Sequence, residues 1–126
     1  IETQLTVFHP DCRVNFSGSV WLEGHDALRA AWESAYQRYV QTSHAVTNIS
    51  ITFTSTDNAN TESVITAWHR DPQGKEWTLH GRYVDTWYKS AEGWKMKTRQ
   101  IIAAGAVGRD ESTLTMLERL TISDGH

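Results

Sequence analysis

The hydrophobic pattern changes period once along the chain, and that change constrains the fold more than any other feature. Between Ala27 and Val40 apolar residues come in pairs four apart: Ala27/Leu28, Ala31/Trp32, Ala35/Tyr36 and Tyr39/Val40. The repeat predicts one apolar stripe on a helix of about four turns. Asp26 stands at its start, where a carboxylate meets free amides and the positive dipole end. Arg29 and Glu33 read as an exposed i, i+4 pair. From Thr42 onward the period is two. Strand-like segments follow at 42–55, 61–70, 77–90 and 94–104. The breaks are Thr56-Asp57-Asn58, Asp71-Pro72-Gln73-Gly74 and Ala91-Glu92-Gly93. They are short and built of turn formers, so neighbouring strands should pair antiparallel as a meander. The expected class is α+β, with a curved antiparallel sheet wrapped around helices on one face. Such a layout encloses a cone whose open end is a natural small-molecule pocket.

Around this centre the signals are weaker. Glu2 to Phe8 read as the last turns of a helix, with Leu5 and Phe8 three apart, so the first helix is expected to begin upstream of Ile1. His9-Pro10-Asp11 should break it. Cys12 to Ser17 reads as a short strand, and Ser17 to Gly24 as a loop carrying Trp21. Leu114, Leu117 and Leu120 predict a short helix over 113–120. Residues 1–105 thus form the expected domain and 106–126 a tail.

Composition narrows the function. A chain of 126 residues fits a single core. The net charge of −3 lacks the Lys/Arg clustering that nucleic-acid binding requires. No apolar run approaches the length of a membrane helix, and no signal-peptide pattern is visible. Cys12 is the only cysteine, which excludes an intrachain disulfide and makes a reduced, cytoplasmic setting the default. Histidines are scattered at 9, 25, 44, 69, 80 and 126, with no His-Glu-x-x-His, so no metal site is expected. Neither Gly-x-Ser-x-Gly nor Gly-x-Gly-x-x-Gly occurs. Six Trp, four Tyr and three Phe suit either a ligand cavity or an aromatic-rich sheet. One face of a long open sheet should be left bare, which predicts a homo-oligomer, dimer or trimer.

Gly81-Arg82-Tyr83-Val84-Asp85 followed by Gly93-Trp94-Lys95-Met96-Lys97-Thr98-Arg99 resembles the last two strands of SnoaL-like proteins, in the cone-shaped nuclear transport factor 2-like (NTF2-like) superfamily. Ser43-His44-Ala45-Val46-Thr47-Asn48 resembles the start of their preceding long strand, and Phe8-His9-Pro10-Asp11-Cys12-Arg13-Val14 their post-helix strand entry. The resemblance covers about residues 2–104. Scytalone dehydratase, bile acid 7α-dehydratase and hexachlorocyclohexane dehydrochlorinase are the most similar groups. They eliminate water or HCl without a cofactor, with a histidine at the start of that long strand oriented by a first-helix aspartate. His44 matches the histidine. Arg99 matches an arginine that two of the groups add on the last strand. By position the aspartate falls one or two residues before Ile1, outside this sequence.

The resemblance implies His44 as a general base and Arg99 as a fixed cation that stabilises a leaving group or enolate. Arg99 has an alternative role, pairing with Asp85 or Glu62 across the sheet. Lys95, Lys97 and Arg99 share one parity, so an inward Arg99 needs a strand bulge. Trp77, Leu79, Gly81, Tyr83, Asp85 and Trp87 share one face of a regular strand, and five of the six are apolar, aromatic or small, so this is the expected core face. Tyr83 is a candidate donor to substrate. The resemblance also suggests that His69, 25 residues after His44, holds a water. Trp21, Phe16, Trp68 and Tyr36 complete the expected substrate-binding set, with Trp32 and Tyr39 as helix aromatics that could serve core or pocket. The implied function is a cofactor-free lyase or isomerase acting on a small hydrophobic or cyclic molecule. A binding or assembly module of the same fold is the alternative.

Overall fold

The computed structural model describes residues 1–118. The elements run α1 (Glu2–Leu5), β1 (Phe8–Asn15), β2 (Leu22–Glu23), α2 (Gly24–Arg38), β3 (Gln41–Phe53), β4 (Asn58–Arg70), β5 (Glu76–Ser90) and β6 (Gly93–Val107). One six-stranded sheet has the order β2-β1-β6-β5-β4-β3. The four long strands form the expected antiparallel meander, and β1 joins β6 in parallel. The sheet is curved but not closed, an α+β architecture with the helices against one face.

The period-3.6 stripe became α2, and Leu28 is its one fully buried side chain. Leu28 packs with Leu5, Phe8, Cys12, Val14 and Met96, joined at the margin by Trp32 and Trp87. Full burial of a leucine contributes about 2 kcal/mol. A second cluster, Ile65, Ala67, Leu79, Tyr83, Ile101 and Ala103, lines the middle of the sheet. Ala31, Trp32, Ala35 and Tyr39 of the stripe are only half-buried and Tyr36 is exposed, because they border a cavity.

Several sequence expectations are corrected. The first helix stops at Leu5, and Phe8 already belongs to β1. His9-Pro10-Asp11 lies inside β1 rather than ending the first helix. Between Phe8 and Arg13 the register with β6 slips, so Pro10 sits where the ladder is irregular and its missing N–H is tolerated. Gly24, not Asp26, opens α2, and Glu23 precedes it without a side-chain cap. Arg29 does not pair with Glu33. It bonds Glu2 at 2.7 Å and Asp26 at 2.8 Å, tying α1 to α2.

Residues 113–118 are not helical. β1 ends at Asn15, leaving the β6 edge beyond it open, and the C-terminal segment takes that place. Ala103 N–H donates to Thr115 O and Leu117 N–H to Ala103 O, both at 2.7 Å. Thr115 is also held by Ser17 and Gly18, and Leu114 packs on the second cluster. Open strand-edge groups outweigh the leucine spacing here. Positions 119 and 120 of the expected helix lie outside the described residues.

Candidate functional site

Two register shifts build the site. On β6, Thr86 pairs with Thr98 but Trp87 with Met96, so Lys97 is the extra residue. This bulge is the one an inward Arg99 requires. It puts Met96 and Arg99 on the same face and leaves the lysines away from the core. On β3 the register slips between Thr47 and Ser50, and Asn48 takes φ 54°. Asparagine tolerates that left-handed conformation better than most residues. Before the slip Thr42, His44 and Val46 face inward. After it Ile49, Ile51 and Phe53 do.

The inner face opens into a cavity of about 710 Å³ between α2 and the sheet. A shallower apolar depression of about 320 Å³ adjoins it, walled by Ile49, Ile51, Phe53 and Trp94. Trp87 and Arg99 border both.

Arg99 is locked in place. Its Nε donates to Asp85 Oδ1 and its Nη2 to Asp85 Oδ2, each at 2.9 Å, and its guanidinium carbon lies 3.7 Å from the Tyr83 ring centroid. Asp85 is 3% exposed. Thus the inward position and the Asp85 pairing, read from sequence as alternatives, coexist. The fork geometry leaves Nη1 without a partner among the described residues. Tyr83 is buried beside this pair, and burial raises its hydroxyl pKa.

The histidines lie at the other end. His44, on the edge strand β3, is exposed as a whole residue, yet its imidazole faces the cavity, and loss of water there lowers its pKa. No side chain among the described residues hydrogen-bonds it. The His69 ring is 5.7 Å from His44, edge-on. His69 stacks on Trp77 at 4.0 Å, and its Nδ1–H donates to the Trp77 carbonyl at 3.3 Å. In the neutral ring that bond leaves Nε2 as the acceptor. Burial, first, lowers the His69 pKa. Both shifts favour the neutral imidazole.

Of the residues singled out from sequence, His44, Arg99, Tyr83, His69, Phe16 and Tyr36 border this one cavity. The Tyr36 hydroxyl also donates to Gln4 at 3.2 Å. Trp21 and Trp68 do not border it. Trp21 lies beneath Arg13 at 5.0 Å, near the β2 edge. Trp68 has the opposite parity to His69, so it is on the outer face, where its Nε1–H donates to Glu76. The helix aromatics Trp32 and Tyr39 do face the cavity. Arg38 and Arg109 border it as well and carried no sequence signal. Arg38 ends a helix whose register alone does not say which way its last side chains lean. Arg109 follows a strand that runs three residues further than the hydrophobic pattern suggests.

This curved sheet, with helices on one face and a polar-tipped cavity between, is the architecture of the NTF2-like superfamily. The chain belongs to the SnoaL-like domain family, whose model matches residues 2–100. A solved candidate scytalone dehydratase from Novosphingobium aromaticivorans DSM 12444 is 29% identical, with TM-score 0.86, over 95% of this chain and 81% of that one. A hexachlorocyclohexane dehydrochlorinase (LinA) Type2 is 17% identical, with TM-score 0.77, over 97% and 82%. A candidate calcium/calmodulin-dependent protein kinase II association domain from Xanthomonas campestris is 16% identical, with TM-score 0.66, over 78% and 69%. No curated protein matches the sequence. Among the described residues, no helix is long and apolar enough to cross a membrane.

Proposed function

We propose that the cavity carries out a cofactor-free elimination or proton shift on a small hydrophobic or cyclic molecule, making the protein a lyase or isomerase. One observation carries this reading: a single cavity holds both an unengaged neutral imidazole, His44, and a rigidly held cation, Arg99. His44 accepts a proton from a substrate carbon. The C–H electron pair then forms the new double bond, and hydroxide or halide leaves with its own pair. Arg99 Nη1 and Tyr83 meet the developing negative charge, which a water-poor cavity makes more effective. The imidazolium returns its proton to water. The names of two structural neighbours, a dehydratase and a dehydrochlorinase, support this class. The bare β3 edge, exposed along all 13 residues, supports the expected oligomer.

The test assays scytalone and hexachlorocyclohexane, named by those neighbours, and a panel of cyclic β-hydroxy ketones, with the native chain and with His44→Gln. Turnover by the native chain that falls at least about 10²-fold in the variant, with ligand affinity little changed, is expected for loss of a general base. Turnover unaffected by the substitution would sink the assignment. A second reading, a binding or assembly module, is favoured by one fact: no carboxylate among the described residues orients His44. Tight binding across the panel without turnover would support that reading.

A further inference from the structure

Seven arginines lie among the described residues. Five have carboxylate partners: Arg13 with Glu23, Arg29 with Glu2 and Asp26, Arg70 with Glu76, Arg82 with Glu62, and Arg99 with Asp85. The two without an ion pair or side-chain hydrogen bond, Arg38 and Arg109, both border the cavity, at its histidine end.

They approach that end from opposite elements. Arg38 is in the last turn of α2, and Arg109 lies two residues past the end of β6. Each rests on an aromatic ring. The Arg38 guanidinium carbon is 5.6 Å from the Tyr39 centroid, and that of Arg109 is 4.6 Å from Trp77. The two platforms are tied together, since Trp77 Nε1–H donates to the Tyr39 hydroxyl at 3.0 Å. Between them lies His69, 4.8 Å from Tyr39 and 4.0 Å from Trp77. Both arginines act on it, each adding to the lowering of its pKa.

Among the described residues no carboxylate borders the cavity, and Asp85, in the adjoining depression, is already occupied by Arg99. With neutral histidines the histidine end therefore carries two uncompensated positive charges, in a chain whose net charge is −3. The negative end of the α2 dipole is close by and offsets part of this, but it amounts to about half a charge. The wall beyond is apolar, with Ile65, Ala67, Leu79 and Ile101.

We infer that the cavity takes an amphipathic acid, an apolar body carrying one carboxylate, whose carboxylate lies between Arg38 and Arg109. The inference rests on the reading of this cavity as the ligand site but not on His44 being a base. Ring-supported guanidinium groups keep their planar donor forks directed at a carboxylate, and such charge-assisted bonds are among the stronger polar contacts. Because both side chains are exposed, salt will weaken the preference.

The experiment uses two matched probes, 1-pyrenebutyrate and the neutral 1-pyrenebutanol, with the full chain, followed by energy transfer from tryptophan. At low salt the carboxylate is expected to bind about tenfold more tightly than the alcohol. In Arg38→Gln/Arg109→Gln the preference should fall to within about twofold, with alcohol affinity unchanged. Arg82→Gln, which removes the same charge from an ion pair with Glu62 outside the cavity lining, should keep it. Equal binding of both probes by the native chain would overturn the inference while leaving the cavity reading intact. So would a preference that survives the double substitution. Failure of both probes to bind would overturn both readings.

Discussion

The two ends of one cavity use arginine in opposite ways. At the centre of the sheet, Arg99 is largely buried, bidentate to Asp85 and stacked on Tyr83. At the histidine end, Arg38 and Arg109 are exposed, rest on rings and have no carboxylate. Residue type is the same, but the surroundings differ in water and in partners. Removing an ionic partner is costly where water cannot replace it, and nearly free where water can. The central arginine is thus part of what holds the sheet, with one N–H group to spare. The outer pair holds nothing and is available to a ligand.

The sharpest way to break this contrast is Asp85→Ala. It strands the Arg99 guanidinium over the Tyr83 ring and should cost about 3–5 kcal/mol in denaturant unfolding. Asp85→Leu/Arg99→Met removes both charges and should recover most of that loss. A cost under about 1 kcal/mol for Asp85→Ala would mean the central pair is no more structural than a surface one.

A smaller effect should appear with pH. His44 and His69 have folded-state pKa values below the ordinary histidine value of 6.5. The unfolded chain therefore binds more protons than the folded one between those lowered values and about pH 6.5. Stability rises with pH wherever the unfolded state binds more protons. Their contribution is fully present above pH 6.5 and is lost as pH falls through the folded values. Thermal unfolding between pH 8 and pH 5 should show a falling midpoint over that window. His69→Phe, which keeps the stack on Trp77 without a titrating group, should flatten it. A slope unchanged by this substitution would place its source elsewhere.

How far the sequence revealed these features depended on the length of pattern behind each. The meander and the α2 stripe were legible because each repeats its period several times, and burial follows period. The inner face of β5 was legible for the same reason, with Asp85 conspicuous as the only charge on it from Trp77 to Trp87. That Arg99 needed a bulge could be read from parity, but the bulge itself could not, because Lys97 has the same side chain as Lys95 and nothing in it marks an extra residue. Trp21 and Trp68 failed as cavity residues because aromatic character was weighed without facing. Trp68 has the wrong parity, and Trp21 is in a loop that has none. The leucines near the C-terminus had helical spacing, yet the unpaired edge of β6 past Asn15 imposed another structure. That competition involves residues about 100 positions apart and leaves no local trace. His44 was picked out by likeness and not by any periodic signal, since every residue of β3 is exposed.

The smallest expected effect completes the contrast. Arg38→Gln and Arg109→Gln each remove a cation held by one ring face. Such a contact at an exposed site contributes about 0.5–1 kcal/mol. Against it stand the rotamer freedom that each long side chain regains and the mutual repulsion of two like charges beside one cavity. Each substitution should therefore change unfolding free energy by less than about 0.5 kcal/mol, and the double substitution by no more than the sum. The comparison is sharpest in low salt, where the repulsion is least screened and the double variant should gain most relative to the native chain. A loss above about 1.5 kcal/mol for either arginine would show that it holds the Tyr39–His69–Trp77 stack together, since that exceeds the exposed ring contact alone. The outer pair would then resemble Arg99 in kind, and its lack of carboxylate partners would no longer mark it as available to a ligand.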